Sequence, residues 1–117
     1  MNRQQLDKLC LALPGTTIDI KWGNERVYSI GAKMYLLTPE EITTTARLFF
    51  KVPDELFLAI TDQPGVVPAP YLARAKWVMV EDAGRHKRRW IEQQIRTSYE
   101  LVFAKLTKKA KASISTQ

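Results

Sequence analysis

Twice between residues 18 and 37 the chain reverses within a very short turn, and that spacing constrains the fold more than any other feature. Ile18, Ile20 and Trp22 alternate with Asp19 and Lys21, a period of two that gives a strand one apolar and one polar face. Gly23-Asn24 supplies turn residues, and Arg26 to Ile30 is rich in strand formers. Gly31-Ala32 makes a second tight connection into Lys33–Leu37. Parallel crossovers need a dozen or more residues, so strands joined this closely pair antiparallel.

Helical patterns flank these strands. Asn2 is a good N-cap with Gln5 three positions later, and Leu6, Leu9, Cys10 and Leu13 recur at helical spacing until Pro14-Gly15 stops them. Thr38 to Thr45 reads as a polar loop, and Arg47 to Val52 as a strand with Leu48, Phe50 and Val52 on one face. Pro53 suits the first turn of a helix, with Asp54 and Glu55 complementing its dipole and Leu56, Phe57 and Ile60 facing the sheet. Pro64, Gly65, Pro68 and Pro70 make the next stretch irregular, and Lys76 to Glu81 reads as the last strand. A long terminal helix opening near Gly84 carries a stripe of Ile91, Ile95, Val102 and Leu106, widened by Tyr99 and Phe103. From about residue 108 the polar tail is expected to fray.

The order α-β(4)-α-β-α is not the alternation of a parallel α/β fold. It predicts one α+β domain over residues 1–117, a two-layer sandwich whose mostly antiparallel sheet carries its helices on one face. Cys10 is alone, so no internal disulfide forms, and its place on an apolar helix stripe reads as a small buried hydrophobe. Asp7 and Lys8 fall where a secretory apolar run would be, and no stretch approaches the roughly 20 apolar residues of a membrane span. A cytoplasmic location is expected, with no membrane partner.

Charge is distributed unevenly. Residues 1–83 carry nine Lys/Arg against ten Asp/Glu, whereas residues 84–117 carry nine against two. A local excess of net +7 favours a polyanionic partner through the field at that surface.

At Pro68–Val80 the run Pro-Ala-Pro-Tyr-Leu-Ala-Arg-Ala-Lys-Trp-Val-Met-Val is distinctive. It is joined by Leu11-Ala12-Leu13-Pro14-Gly15, Trp22-Gly23, Gly31-Ala32-Lys33-Met34 and Ser98-Tyr99-Glu100-Leu101-Val102. With these five motifs in order, over roughly residues 6 to 109, the chain resembles the MmcQ/YjbR family. The resemblance implies a CyaY-like fold, the frataxin-type sandwich, and a DNA-binding role ascribed to strand-and-loop projections likened to a double wing. Carried over by position, the projections are the turns around Lys21–Arg26 and Gly31–Lys33, with Arg74 and Lys76 beside the Trp77 strand. The chain departs from the family's habit in two places. Lys76 stands where many relatives have histidine, and Arg85-His86-Lys87-Arg88-Arg89 stands where many have acidic residues.

That basic run is the sharpest chemical signal. Cations at a helix N-terminus each cost about 0.3–1 kcal/mol against the dipole, so stability alone does not place them there. Free N–H groups beside Arg and Lys are instead suited to hold phosphate. The alternative is a helix that starts later, leaving Arg85, Lys87, Arg88 and Arg89 in a solvated loop. Lys105, Lys108, Lys109 and Lys111 have an ordinary explanation at the negative end of the dipole. Arg89, Glu92, Arg96 and Glu100 read as an ion-paired solvent face. Trp77 and Trp90 read as core; Trp22 and Tyr71 suit either core or a stacking platform for bases.

Catalysis is poorly supplied: the single histidine, His86, has no nucleophile or orienting carboxylate near it in sequence. One His and one Cys are too few for a zinc site, and no Gly-rich phosphate loop is present. No metal, no cofactor and no enzymatic activity are expected. The leading expectation is a nucleic-acid-binding protein, for DNA or another nucleic acid, that grips the phosphate backbone with little sequence readout. Its contacts would be Arg85, Lys87, Arg88 and Arg89, with Lys33, Arg74, Lys76, Lys21, Arg26 and Trp22 secondary. A protein-interaction or chaperone-like domain, presenting Phe49, Tyr35 and Tyr28 on an exposed sheet face, is the alternative. An enzyme would need a concave pocket near Trp22, Tyr71 and Trp77.

Overall fold

The computed structural model describes residues 1–41 and 47–115. The expected polar loop Thr38–Thr45 therefore lies, from residue 42, outside the described residues. Helix α1 (Arg3–Leu11) opens with a capping box: the Asn2 side chain accepts from the Gln5 N–H, and Gln5 accepts from the Asn2 N–H. Six strands follow: β1 (Thr16–Lys21), β2 (Glu25–Ile30), β3 (Lys33–Pro39), β4 (Leu48–Lys51), β5 (Val66–Pro68) and β6 (Trp77–Val80). They form one sheet in the order β1-β2-β3-β4-β6-β5, and every neighbouring pair is antiparallel. Helix α2 (Phe57–Thr61) precedes β5, and α3 (Arg88–Ala104) and α4 (Lys108–Ser115) complete the chain.

Strand alternation sorts the side chains into two layers. Tyr28, Leu36, Phe50 and Val78 are aligned across four strands and fully buried under the helices, with Leu6 and Cys10 of α1 and Ile91, Ile95 and Tyr99 of α3. Burial pushes the Cys10 thiol up to about 12. Val27, Leu37 and Phe49 occupy the opposite face, where Ala69, Leu72 and Trp77 pack over them as a second apolar cluster. The helices thus cover one face, and the loop between β5 and β6 covers part of the other.

Strand β3 breaks the alternation. Tyr28 pairs with Leu36 and Ser29 with Met34, so Tyr35 is the extra residue of a bulge. Tyr35 and Leu36 consequently both enter the helical core. Ser98 of α3 holds the spot: its hydroxyl donates to the Tyr35 carbonyl at 2.6 Å and accepts from the Lys51 N–H at 2.9 Å.

Several expectations are corrected. Val66–Pro68, inside the stretch read as irregular, is an edge strand; proline is tolerated there because an outward-facing position needs no N–H donor. The terminal helix starts at Arg88, not Gly84. Asp82 accepts from the Gly84 N–H at 2.9 Å, forming a 3-10 turn over Ala83–Arg85, and the backbone is extended at His86 and Lys87. From Lys108, where composition predicts a fraying tail, the chain forms α4 and buries Ile114 against Gly15 and the core. Leu56 is exposed, while Ile60 of the same segment is buried. Of the apolar row on β1, only Ile18 packs against the core; Ile20 and Trp22 are 49% and 70% exposed. Tyr28 and Tyr35, read as members of an exposed sheet face, are fully buried, and Phe49 packs in the second cluster.

Candidate nucleic-acid interface

The register decides which of the predicted contacts share a surface. Lys21 pairs with Glu25, Glu25 with Pro39, and Leu48 with Val80, so the Trp22 turn and the Asp82–Arg89 segment leave the same end of the sheet. Lys33, beside the Gly31-Ala32 turn, and Arg74 and Lys76, just before β6, lie at the other end. The predicted set is therefore split between two poles.

At the first pole the chain carries four exposed cations over five residues. Arg85 has a side chain 85% exposed, with Nε 3.6 Å from Asp82 Oδ2. Lys87 is the N-cap of α3 and offers no side-chain cap, and the first turn contains no acid. The leading N–H groups of a helix lack intrahelical partners, so this terminus carries positive charge from backbone and side chains together. Arg88 reaches along the helix to Glu92 at 3.1 Å, and Arg89 forms no ion pair among the described residues. His86 does not join the cations outward: its ring stacks on Trp90 at 5.2 Å. A cavity of about 640 Å³ beside it is lined by Arg47, Arg85 and His86 together with Met79, Glu81 and Asp82.

Trp22 ends the same side of the sheet with φ 51, a left-handed conformation that bulky residues rarely adopt. Tyr71, with φ 65, is fully exposed, whereas Trp77 is buried. None of these three rings lines the cavities at Arg47, Lys51 or Pro14.

Arg26 is otherwise occupied. Its guanidinium meets Asp7 at 2.6 Å and Glu40 at 3.2 Å, and also donates to the Tyr28 hydroxyl. Only 15% of the side chain is exposed, and the Asp7 hydrogen bonds raise its pKa. Arg3 adds a bond to Glu40 at 3.2 Å, so the network fastens α1 to the sheet rather than facing solvent. Arg26 thus leaves the contact set for a physical reason: its charge is already paired.

The second pole also contains Lys51, which the sequence reading did not single out, and Lys105, which it read as a complement to the helix dipole. Lys105 caps the C-terminus of α3 and meets Lys51 at the rim of a cavity of about 220 Å³, which Asp54 and Glu55 also line. Burial lowers the Lys51 pKa, and the nearby charges of Lys105 and Lys76 lower it further. The Lys51 ammonium donates to the Ala75 carbonyl, and Lys76 stands over the Phe57 ring at 5.1 Å. Only the run of α3 back along the sheet could have shown that residues 51 and 105 meet. Among the described residues, no group of three His, Cys, Asp or Glu side chains is placed to hold a metal ion, and no helix is long and apolar enough to cross a membrane.

A six-stranded antiparallel sheet with helices on one face and a basic helix N-terminus at one end defines a small α+β domain with a basic pole. The chain belongs to the YjbR family, whose model matches residues 11–101. Among solved structures it is similar to the Deinococcus radiodurans protein DR2400, which carries a DUF419 domain. That likeness has a TM-score of 0.85 and 24% identity over 96% of this chain and 86% of that one. A Pseudomonas syringae protein is similar with a TM-score of 0.70 and 26% identity, over 87% of this chain and 99% of that one. No curated protein matches the chain.

Proposed function

We propose that this domain is a nucleic-acid-binding module that grips the phosphate backbone at the N-terminal pole of α3, with little sequence readout. The observation that carries the reading is the uncapped α3 terminus. Lys87 supplies no cap, the first turn has no acid, and Arg85, Lys87, Arg88 and Arg89 surround it in solvent. Each of these cations opposes the dipole, and a phosphate would satisfy both the open N–H groups and the side chains. Trp22, exposed at the same end of the sheet, is suited to stack on an unpaired base. Lys33, Arg74 and Lys76, with Lys51 and Lys105, form a separate basic end that a long strand could reach along α3. A 17-residue helix spans about 25 Å.

The alternative of an exposed aromatic sheet face loses its support because Tyr28 and Tyr35 are buried. The test is titration of labelled single- and double-stranded DNA and RNA by fluorescence anisotropy from 50 to 200 mM salt. Four neutralised phosphates on a duplex give a log–log salt slope of about −3.6, a loss of about 10²-fold over that range. A slope near zero, or no binding at the low-salt end, overturns the reading.

A further inference from the structure

Strand β1 is the end strand of the sheet, and no strand pairs with its outer side among the described residues. Such an edge presents a row of backbone donors and acceptors ready to template another strand. Two observations set this one apart from an ordinary exposed edge. From Asp19 onward it is solvent-exposed, including Ile20 at 49%, and it runs into Trp22, which is 70% exposed on a left-handed backbone with φ 51. Its two charges are also of opposite sign and flank Ile20 symmetrically.

We infer that β1 is a self-association edge, and that its partner is the β1 strand of a second copy of this chain, paired antiparallel about a two-fold axis at Ile20. In that register Ile20 faces Ile20, and Asp19 of each copy faces Lys21 of the other, twice. Ile18 comes alongside Trp22 of the other copy. The apolar residues share one face and the ion pairs the other, because side chains alternate along a strand. Opposite charges directly across an antiparallel pair stabilise it, and like charges destabilise it.

The neighbouring registers fail by the same rule. A two-residue slip moves the axis by one residue: back onto Asp19, it sets Asp19 against Asp19, and forward onto Lys21, it sets Lys21 against Lys21. A one-residue slip sets Asp19 against Ile20. A single register therefore satisfies both charges, which is the signature of an isologous interface in which one patch meets itself. The product is two six-stranded sheets joined edge to edge.

Sedimentation equilibrium over a wide concentration range tests this directly. Asp19 and Lys21 are both exposed, so their reversal leaves the core intact, which circular dichroism would verify. The wild-type mass should rise with concentration from 13.4 kDa toward twice that value. Asp19→Lys and Lys21→Asp should each weaken association at least tenfold. An equimolar mixture of the two variants should associate again, because every lysine then faces an aspartate, and the double swap D19K/K21D should behave as wild type. A wild-type mass that stays at that of one chain overturns the inference. So do single variants that associate like wild type, or a mixture that fails to recover.

Discussion

Arg26 and Asp7 meet as a fork: Nη2 lies 2.6 Å from Oδ2, and Nε 3.1 Å from Oδ1, tying the first helix to the second strand. Glu40 and the Tyr28 hydroxyl complete the cage, so this arginine of β2 serves the fold. Arg26→Met should destabilise by about 1.5–3 kcal/mol, the range for hydrogen bonds to charged groups, and leave DNA affinity unchanged. Urea denaturation together with anisotropy checks both halves; normal stability with weakened binding would make Arg26 a phosphate contact instead.

Ser98 joins α3 to the sheet at the Tyr35 bulge. Ser98→Ala leaves the Lys51 N–H without its acceptor in a buried setting, which should cost about 1–3 kcal/mol. A chemical-denaturation midpoint within error of wild type would show that the bulge is held by packing alone.

Alkaline stability follows from the buried acids. Tyr28 and Tyr35 have their pKa values raised by burial above the ordinary 10.0, and Cys10 is pushed from 9.0 to about 12. The folded state holds these protons more tightly than the unfolded chain. Their contribution is therefore fully present below about pH 9 and is lost as pH rises through and beyond 10. Thermal melts from pH 7 to 11, with tyrosinate absorbance followed in parallel, should show Tm falling as tyrosinate forms. A Tm that is flat to pH 11 would contradict this.

Ile114 anchors α4 beside Pro14, Tyr99 and Phe103. Ile114→Ala should cost about 2 kcal/mol, at the low end for deleting a buried aliphatic side chain because the site borders the surface. Differential scanning calorimetry checks this. An unchanged Tm would return residues 108–115 to the role of a dispensable tail.

Much of the architecture was legible because it rests on local pattern. Leu48, Phe50 and Val52 alternate in sequence and are all buried in the structure. Asn2 and Gln5 announce the capping box that forms. What escaped depends on contacts between distant segments. The bulge that turns both Tyr35 and Leu36 inward follows from pairing with β2, and the second apolar cluster requires Ala69 and Leu72 to fold over Val27 and Leu37. Arg26 read as a free cation because Asp7, on another element, neutralises it. Lys105 read as a dipole complement because nothing in its neighbourhood names Lys51. The run Arg85–Arg89 stands out in the sequence, although the helix begins four residues later than Gly84 suggests.

The central claim is tested most directly by comparing the two basic ends. Arg88→Glu/Arg89→Glu and Lys33→Glu/Arg74→Glu reverse the same number of exposed charges at opposite ends of the sheet, so net charge is held constant between the variants. At 50 mM salt, anisotropy with several unrelated DNA sequences should show the first pair losing at least tenfold in affinity on every sequence and the second pair losing less. Equal losses would mean that only net charge matters, and undiminished binding by the first pair would contradict a phosphate grip at the N-terminus of α3.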